Sequence, residues 1–217
     1  MLIALEGIDG SGKETQAKLL NRWVKAKGHD TFLTKEPTSE PIGRLLREFL
    51  KRGDIEPRTE ALLFAADRSE HTKVVLEKLE AGKVVITERY FYSSVVYQGA
   101  SGISVDWIME LNRFVSLPDL VLVLDIPPEI SLERITSKGS LRGQLRDMEH
   151  FERKDFLSKV RDLYLDLAKK HENFAVVDAS LSVDEVQTSI RRKVGMLLSE
   201  AKAGEEPPDQ RELREYF

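Results

Sequence analysis

The chain has 217 residues and a mass of 24.7 kDa, close to the size of one domain. Its 33 Lys and Arg against 37 Asp and Glu leave a formal charge of −4, and 41% apolar residues suffice for one core under a well-solvated surface. These numbers exclude a nucleic-acid binder that works by bulk positive charge, and the lack of cysteine excludes a disulfide framework, a thiol nucleophile and a thiolate metal site. The longest apolar run, Ala61–Ala66, is six residues, against the ~18 that a membrane span needs. Met1 opens directly into an apolar strand pattern, so no leader and a cytoplasmic location are expected. Any anionic ligand has to be held by local charge, because the global field is slightly repulsive.

In chain order, residues 2–6 (LIALE) predict a short buried strand, followed by a glycine-rich break from Gly7 to Gly12. From Lys13 the spacing of Ala17, Leu20 and Val24 is helical, closing near Gly28. Thr31–Thr34 is a second strand. Ile42, Leu45, Leu46, Phe49 and Leu50 then form one face of an amphipathic helix ended by Gly53. Pro57 suits the first turn of a long helix reaching about Ala81. Val84–Thr87 and Leu120–Leu124 are strands with helical sequence between them. Pro127 and Pro128 open another helix, and Phe151 to His171 forms a further one. Phe174–Val177 is the last strand and Val183 to about Ala201 the last helix. Runs such as LVLVL, apolar without alternation, belong to strands buried on both faces, which predicts an α/β fold around a five-stranded parallel sheet. Ser137–Asp147 (SKGSLRGQLRD) reads as a polar, basic, mobile loop. Around Pro207–Pro208 periodicity is lost, so one domain over 1–202 followed by a solvated, flexible tail over 203–217 is expected.

Gly7-Ile8-Asp9-Gly10-Ser11-Gly12-Lys13 fits G-x-x-x-x-G-K, directly between a predicted strand and a predicted helix. In such a P-loop the glycines let backbone N–H groups converge on phosphate oxygens, the helix N-terminus adds partial positive charge, and the lysine supplies a full one. One position departs from the pattern: Glu14 stands where a Ser or Thr hydroxyl would bind Mg²⁺. Thr15 follows, but one residue along a helix turns the side chain by about 100°. Two accounts stand. Glu14 is a hard oxygen donor to the metal, directly or through water, or it weakens nucleotide binding by placing negative charge beside phosphates. A P-loop alone does not choose among kinases, GTPases and ATPases. The chain has no N-K-x-D segment of the kind that reads guanine. Glu88 and Arg89 follow a predicted strand, at the end where α/β proteins bind ligands.

Five blocks in order, GIDGSGK, EP with IGRLLR, LLFAADR, ERYFYSSVVYQ and PDLVLVLDIPPE, resemble the thymidylate kinases, P-loop nucleoside monophosphate kinases that make dTDP from dTMP and ATP. The resemblance runs from Met1 to about Leu198, and it implies a three-layer fold with a short mobile LID over about 137–150. It implies that Gly7, Asp9, Gly10, Ser11, Gly12, Lys13, Glu14 and Thr15 contact ATP, with Arg134 stacking on adenine beside Ala179–Ser180. Phe64 would stack on thymine and Arg68 would bond a base carbonyl, although from the sequence Phe64 can also be core packing and Arg68 a surface pair with Asp67. Arg89 would grip the dTMP phosphate with Arg47, a role that Arg44, one turn earlier, could take instead. Asp9 and Glu36 would lie near the sugar 3′-hydroxyl and the substrate phosphate, and Tyr97 would crowd the 2′ position. Ser94 and Gln98 would meet the thymine edge, their plainer reading being a solvated helix start. Glu88 stands where the family usually has Asp and would hold Mg²⁺ through water.

In this family the catalytic arginine comes from the P-loop or from the LID. Here Ile8 to Ser11 contain no basic residue, so the resemblance assigns that work to Arg142 and Arg146, assisted by Lys138. The expected cofactor is Mg²⁺, the donor ATP and the acceptor dTMP, in a homodimer with no nucleic-acid or membrane partner. Lys13, Arg89, Arg142 and Arg146 are the expected catalytic residues. The rival readings are a broader deoxynucleoside monophosphate kinase, a deoxynucleoside kinase, and a nucleotide-binding module with reduced turnover, to which Glu14 points.

Overall fold

The computed structural model describes residues 1–137 and 150–202. The expected LID arginines Arg142 and Arg146, Lys138, and the expected tail over 203–217 lie outside the described residues. Five strands alternate with helices: β1 (Leu2–Glu6), α1 (Lys13–Ala26), β2 (Thr31–Lys35), α2 (Pro41–Arg52), α3 (Pro57–Glu80), β3 (Val84–Glu88), α4 (Phe91–Ala100), α5 (Val105–Leu111), β4 (Leu120–Asp125), α6 (Pro128–Ser137), α7 (His150–Lys170), β5 (Phe174–Asp178) and α8 (Val183–Lys202). The strands form one parallel sheet in the order β2-β3-β1-β4-β5. This is the three-layer α/β architecture of the P-loop kinases. Four strands run one residue beyond their predicted ends, because those last polar residues still pair in the ladder: Lys35 with Glu88, and Asp125 with Asp178.

The apolar runs do what their lack of alternation requires. Every residue of β1 is buried, as are Val121 to Leu124 of β4. α1 packs on α8, while α3, α4 and α7 form a second group of helices around the sheet. Among the described residues no helix is long and apolar enough to cross a membrane. Prolines open α2 and α3 where a missing N–H costs nothing, and Glu56 caps α3 by accepting from Thr59 N at 2.9 Å. Parallel pairing sets Leu5 beside Glu88 and Glu6 beside Val123, so the loops after β1, β3 and β4 emerge together at one edge of the sheet.

Beneath that edge lies a buried polar anchor. Glu6 accepts from Tyr90 N at 2.8 Å, Ser93 Oγ at 2.7 Å and the Tyr164 hydroxyl at 2.7 Å. Burial raises the Glu6 carboxyl above its usual range, with these bonds opposing. The three bonds tie β1, the start of α4 and α7 to one carboxylate. Further along, Arg161 of α7 donates to both oxygens of Asp125 at 2.6 and 2.8 Å, fixing α7 against the end of β4.

Candidate active site

The segment after β1 is a loop whose backbone only glycine satisfies at two points. A Cβ on Gly7 would lie 2.5 Å from the Leu124 carbonyl oxygen, and one on Gly10 2.8 Å from that of Ser131, both at positive φ. The loop is thus pressed against the end of β4 and against α6. It closes around the lysine: Lys13 Nζ donates to the carbonyls of Gly7 at 3.0 Å and Ile8 at 2.9 Å, and to Ser11 Oγ at 3.4 Å. Burial pushes the Lys13 ammonium down to about 8, helped by the charge of Arg89 and opposed by Asp9, Glu88 and Glu6.

This loop forms one end of a cleft of about 410 Å³. Asp9, Gly10, Gly12, Lys13, Glu14 and Thr15 line that end, together with Arg134. Gly7 and Ser11 are buried and support the loop from below. Arg134 donates to the Ala179 carbonyl at 3.1 Å, which brings together the two places assigned to adenine. Glu14 lies at the rim with its exposed carboxylate 2.6 Å from Lys18 Nζ, an i,i+4 pair that offsets its charge.

The middle of the cleft is held by Arg89, at φ 65°, a left-handed conformation that is costly for a side chain of this size. Its guanidinium donates to Asp9 Oδ1 at 2.5 Å and Ser93 Oγ at 2.9 Å, and lies 5.0 Å over the Tyr97 ring. Asp9 N donates in turn to the Tyr97 hydroxyl at 3.0 Å. Desolvation raises the Asp9 carboxyl, but Arg89 and Lys13 more than offset it and hold it below its usual range. Glu88, at the end of β3, lines the same wall. Arg47 donates to the carbonyls of Pro37, at 2.6 Å, and Thr38, and its side chain lines the cleft. Arg44 instead donates outside it, to Ser39 O at 2.7 Å. Of the two arginines, Arg47 is the one on the cleft.

At the far end Phe64 is half-buried, outside the hydrophobic core, with one wall of the cleft made by its ring. Arg68, one turn later, is only 1% exposed. It does not pair with Asp67, which accepts from Thr38 N and Oγ1 at 2.7 and 2.6 Å. Arg68 donates to Glu36 at 2.7 Å, Asn112 Oδ1 at 2.5 Å and Ser94 Oγ at 3.2 Å. The other oxygen of Glu36 faces His71 Nδ1 at 3.0 Å, and His71 Nε2 meets Thr34 Oγ1 at 2.7 Å. An ionised carboxylate only accepts, so it is Nδ1–H that donates to Glu36. Ser94 and Gln98 are buried in α4 rather than solvated at its start. Gln98 donates to Glu60 at 2.8 Å, and burial pushes Glu60 up to about 6, with that bond opposing.

Of the described residues expected to contact substrate or metal, all but Gly7, Ser11 and Ala179–Ser180 line this one cleft. Sequence reasoning missed Glu60, which also lines it, and the roles of Asn112 and His71 behind it. Glu60 carried no signal, since acids are favoured in any first helical turn. The Asp67-Arg68-x-x-His71 spacing could have marked a polar face inside α3.

The geometry agrees with what the chain is similar to. Residues 5–190 match the family model for thymidylate kinase. A relative from Thermococcus kodakarensis is 43% identical over 210 residues, covering 92% of this chain and all of the relative. One from Pyrococcus abyssi is 46% identical over 196 residues (87% and 92%), and one from Methanocaldococcus jannaschii 43% identical over 192 residues (88% and 93%). Each is named a probable thymidylate kinase. With the P-loop, Arg47 and Arg89 on one cleft and a family match over residues 5–190, the chain belongs to the thymidylate kinases.

Proposed function

We propose that the protein transfers the γ-phosphoryl group of ATP to dTMP, giving dTDP and ADP with the help of Mg²⁺. The observation that carries this reading is the division of one cleft into three chemistries: a P-loop with Lys13, a second cationic clamp of Arg89 and Arg47, and an aromatic wall at Phe64 beside buried polar groups. A nucleoside kinase has to deprotonate a neutral hydroxyl and needs no clamp for an acceptor phosphate. An acceptor phosphate is already anionic, so no general base is required. What remains is to align two polyanions and neutralise the charge of a loose transition state.

Lys13 turns from the loop carbonyls to phosphate oxygens. Arg89, held on Asp9 and Tyr97, grips the acceptor phosphate, and Tyr97 crowds the 2′ position. Phe64 stacks on the base, with Arg68, Ser94 and Gln98 at its edge and Glu36 holding Arg68. Arg134 meets adenine. Mg²⁺ fits the donors present, because it is commonly held by one or two carboxylates plus substrate phosphates and water, and Glu88 and Glu14 both line this cleft. Bound there, the metal would neutralise charge on the transferred group. Arg142 and Arg146 complete the charge on the donor side. Pairing of two copies belongs to this reading, supported by the exposed apolar side chains Leu45 on α2 and Leu62 and Val74 on α3.

The test is to mix the purified protein with ATP, Mg²⁺ and a panel of nucleoside monophosphates and to follow ADP. Turnover with dTMP well above the other monophosphates is expected. Comparable rates across deoxynucleotides would favour the broader kinase. Nucleotide binding with no ADP formed would favour the module to which Glu14 points.

A further inference from the structure

We propose that Glu60 is a positioning residue for base selection: its carboxylate fixes the side-chain amide of Gln98 so that Gln98 Oε1 accepts an N–H from the substrate base. The inference rests on the nucleotide reading above and adds to it a residue and a criterion of selectivity.

Glu60 lies in the first turn of α3 and Gln98 near the end of α4, and both line the cleft beside Phe64, Arg68 and Ser94. They are 6% and 2% exposed. Gln98 Nε2 donates to Glu60 Oε1 at 2.8 Å. Gln98 Oε1 and Glu60 Oε2 are buried, and among the described residues neither has a hydrogen-bond partner. A buried acceptor without a partner is costly, so native proteins seldom keep two side by side. At the wall of a binding cleft they ask for a donor from the ligand.

A glutamine amide is nearly symmetric in shape and reads nothing by itself, since it can flip to offer either N–H or C=O. Its neighbour removes the ambiguity. An ionised carboxylate has no proton to give, so Gln98 must direct Nε2 to Glu60, and Oε1 is the atom left for the ligand. Burial raises Glu60 only to about 6, which leaves it mostly ionised at neutral pH. An acceptor at this wall pairs with the imide N3–H of thymine or uracil. It opposes cytosine, whose N3 presents a lone pair. A site built to pair a ligand N–H rejects an analogue lacking it far more strongly than a pocket rejects a change of one methyl group.

The decisive variant is Glu60→Gln, which has the same shape and still bonds Gln98. Its amide can donate as well as accept, so Gln98 becomes free to flip. We would titrate dTMP and dCMP into wild type, Glu60→Gln, Gln98→Leu and the double variant by calorimetry at about pH 7.5, above the Glu60 value. The expected result is a Kd ratio, dCMP over dTMP, that falls about 10-fold or more in Glu60→Gln, while Tm is unchanged or higher because a buried charge is gone. In the Gln98→Leu background the Glu60 substitution is expected to add nothing, as required if Glu60 acts only through Gln98. A ratio unchanged in Glu60→Gln overturns the inference. So does equal weakening of both nucleotides, a Glu60 effect that persists without Gln98, or a wild type that binds both bases alike. A wild type that binds dTMP selectively but forms no dTDP would sink the kinase reading and leave this inference standing.

Discussion

Lys13 is the residue on which donor binding is expected to turn. Its ammonium rests on the carbonyls of its own loop, and burial brings it down to about 8. A surrounding triphosphate favours the charged form, so nucleotide binding raises that value and takes up a proton wherever the free lysine is neutral. Donor affinity is therefore full below pH 8 and lost as pH rises through it. The KM for ATP should be level near neutrality and rise toward ~10-fold per pH unit above about 8. Steady-state kinetics across that range check this, and a profile level to about pH 9.5 would show that the lysine charge does not contribute. Lys13 was legible because the chemistry of a P-loop is contiguous in sequence. Arg68 was legible as a residue but not in its bonds. Its partners Glu36, Ser94 and Asn112 are 32, 26 and 44 positions away, and only the fold brings them together.

At the scale of elements, the approach of α2 to α3 brings Arg47, Phe64 and Arg68 to the cleft. A Cβ on Gly43 would lie 2.8 Å from Asp67 Oδ1 and from Thr38 N, and closer still to the Thr38 carbonyl oxygen. Thr38 and Asp67 are bonded to each other, and Arg47, one turn beyond Gly43, holds the same carbonyl. Gly43→Ala must push α2 outward and carry Arg47 with it. The expected loss is about 1–3 kcal/mol, or several degrees in Tm. It should come with a raised KM for the acceptor and little change in that for ATP; equal changes in both would place Arg47 elsewhere in the mechanism. The strands were readable because burial on both faces leaves unbroken apolar runs. α3 was readable in extent from Pro57 onward, but not in orientation. It buries Glu60, Asp67, Arg68 and His71 while exposing Leu62 and Val74, so no apolar stripe marks its inner face.

Over the whole molecule the charge of −4 coexists with a cleft lined by Lys13, Arg47, Arg68, Arg89 and Arg134. Net charge argues only against binding by bulk positive charge, and a nucleotide responds to the local cluster within a Debye length of about 10 Å. Arg142 and Arg146 lie outside the described residues, and the resemblance assigns them a part in catalysis. Replacing both with alanine should lower kcat at least ~10-fold while the KM for dTMP changes less, because their contribution is made in the transition state. Wild-type turnover in that double variant would remove the arginines from the mechanism. The order β2-β3-β1-β4-β5 also has a consequence for biosynthesis. The first strand made is the middle one, and its first partner begins about eighty residues later, Leu2 pairing with Val85, while the second, in which Ile3 pairs with Leu120, comes later still. At ribosomal speeds of ~5–20 residues per second, LIALE waits roughly 4–16 s before a neighbour exists. The segment that shapes the phosphate loop is thus the one most in need of protection on the nascent chain.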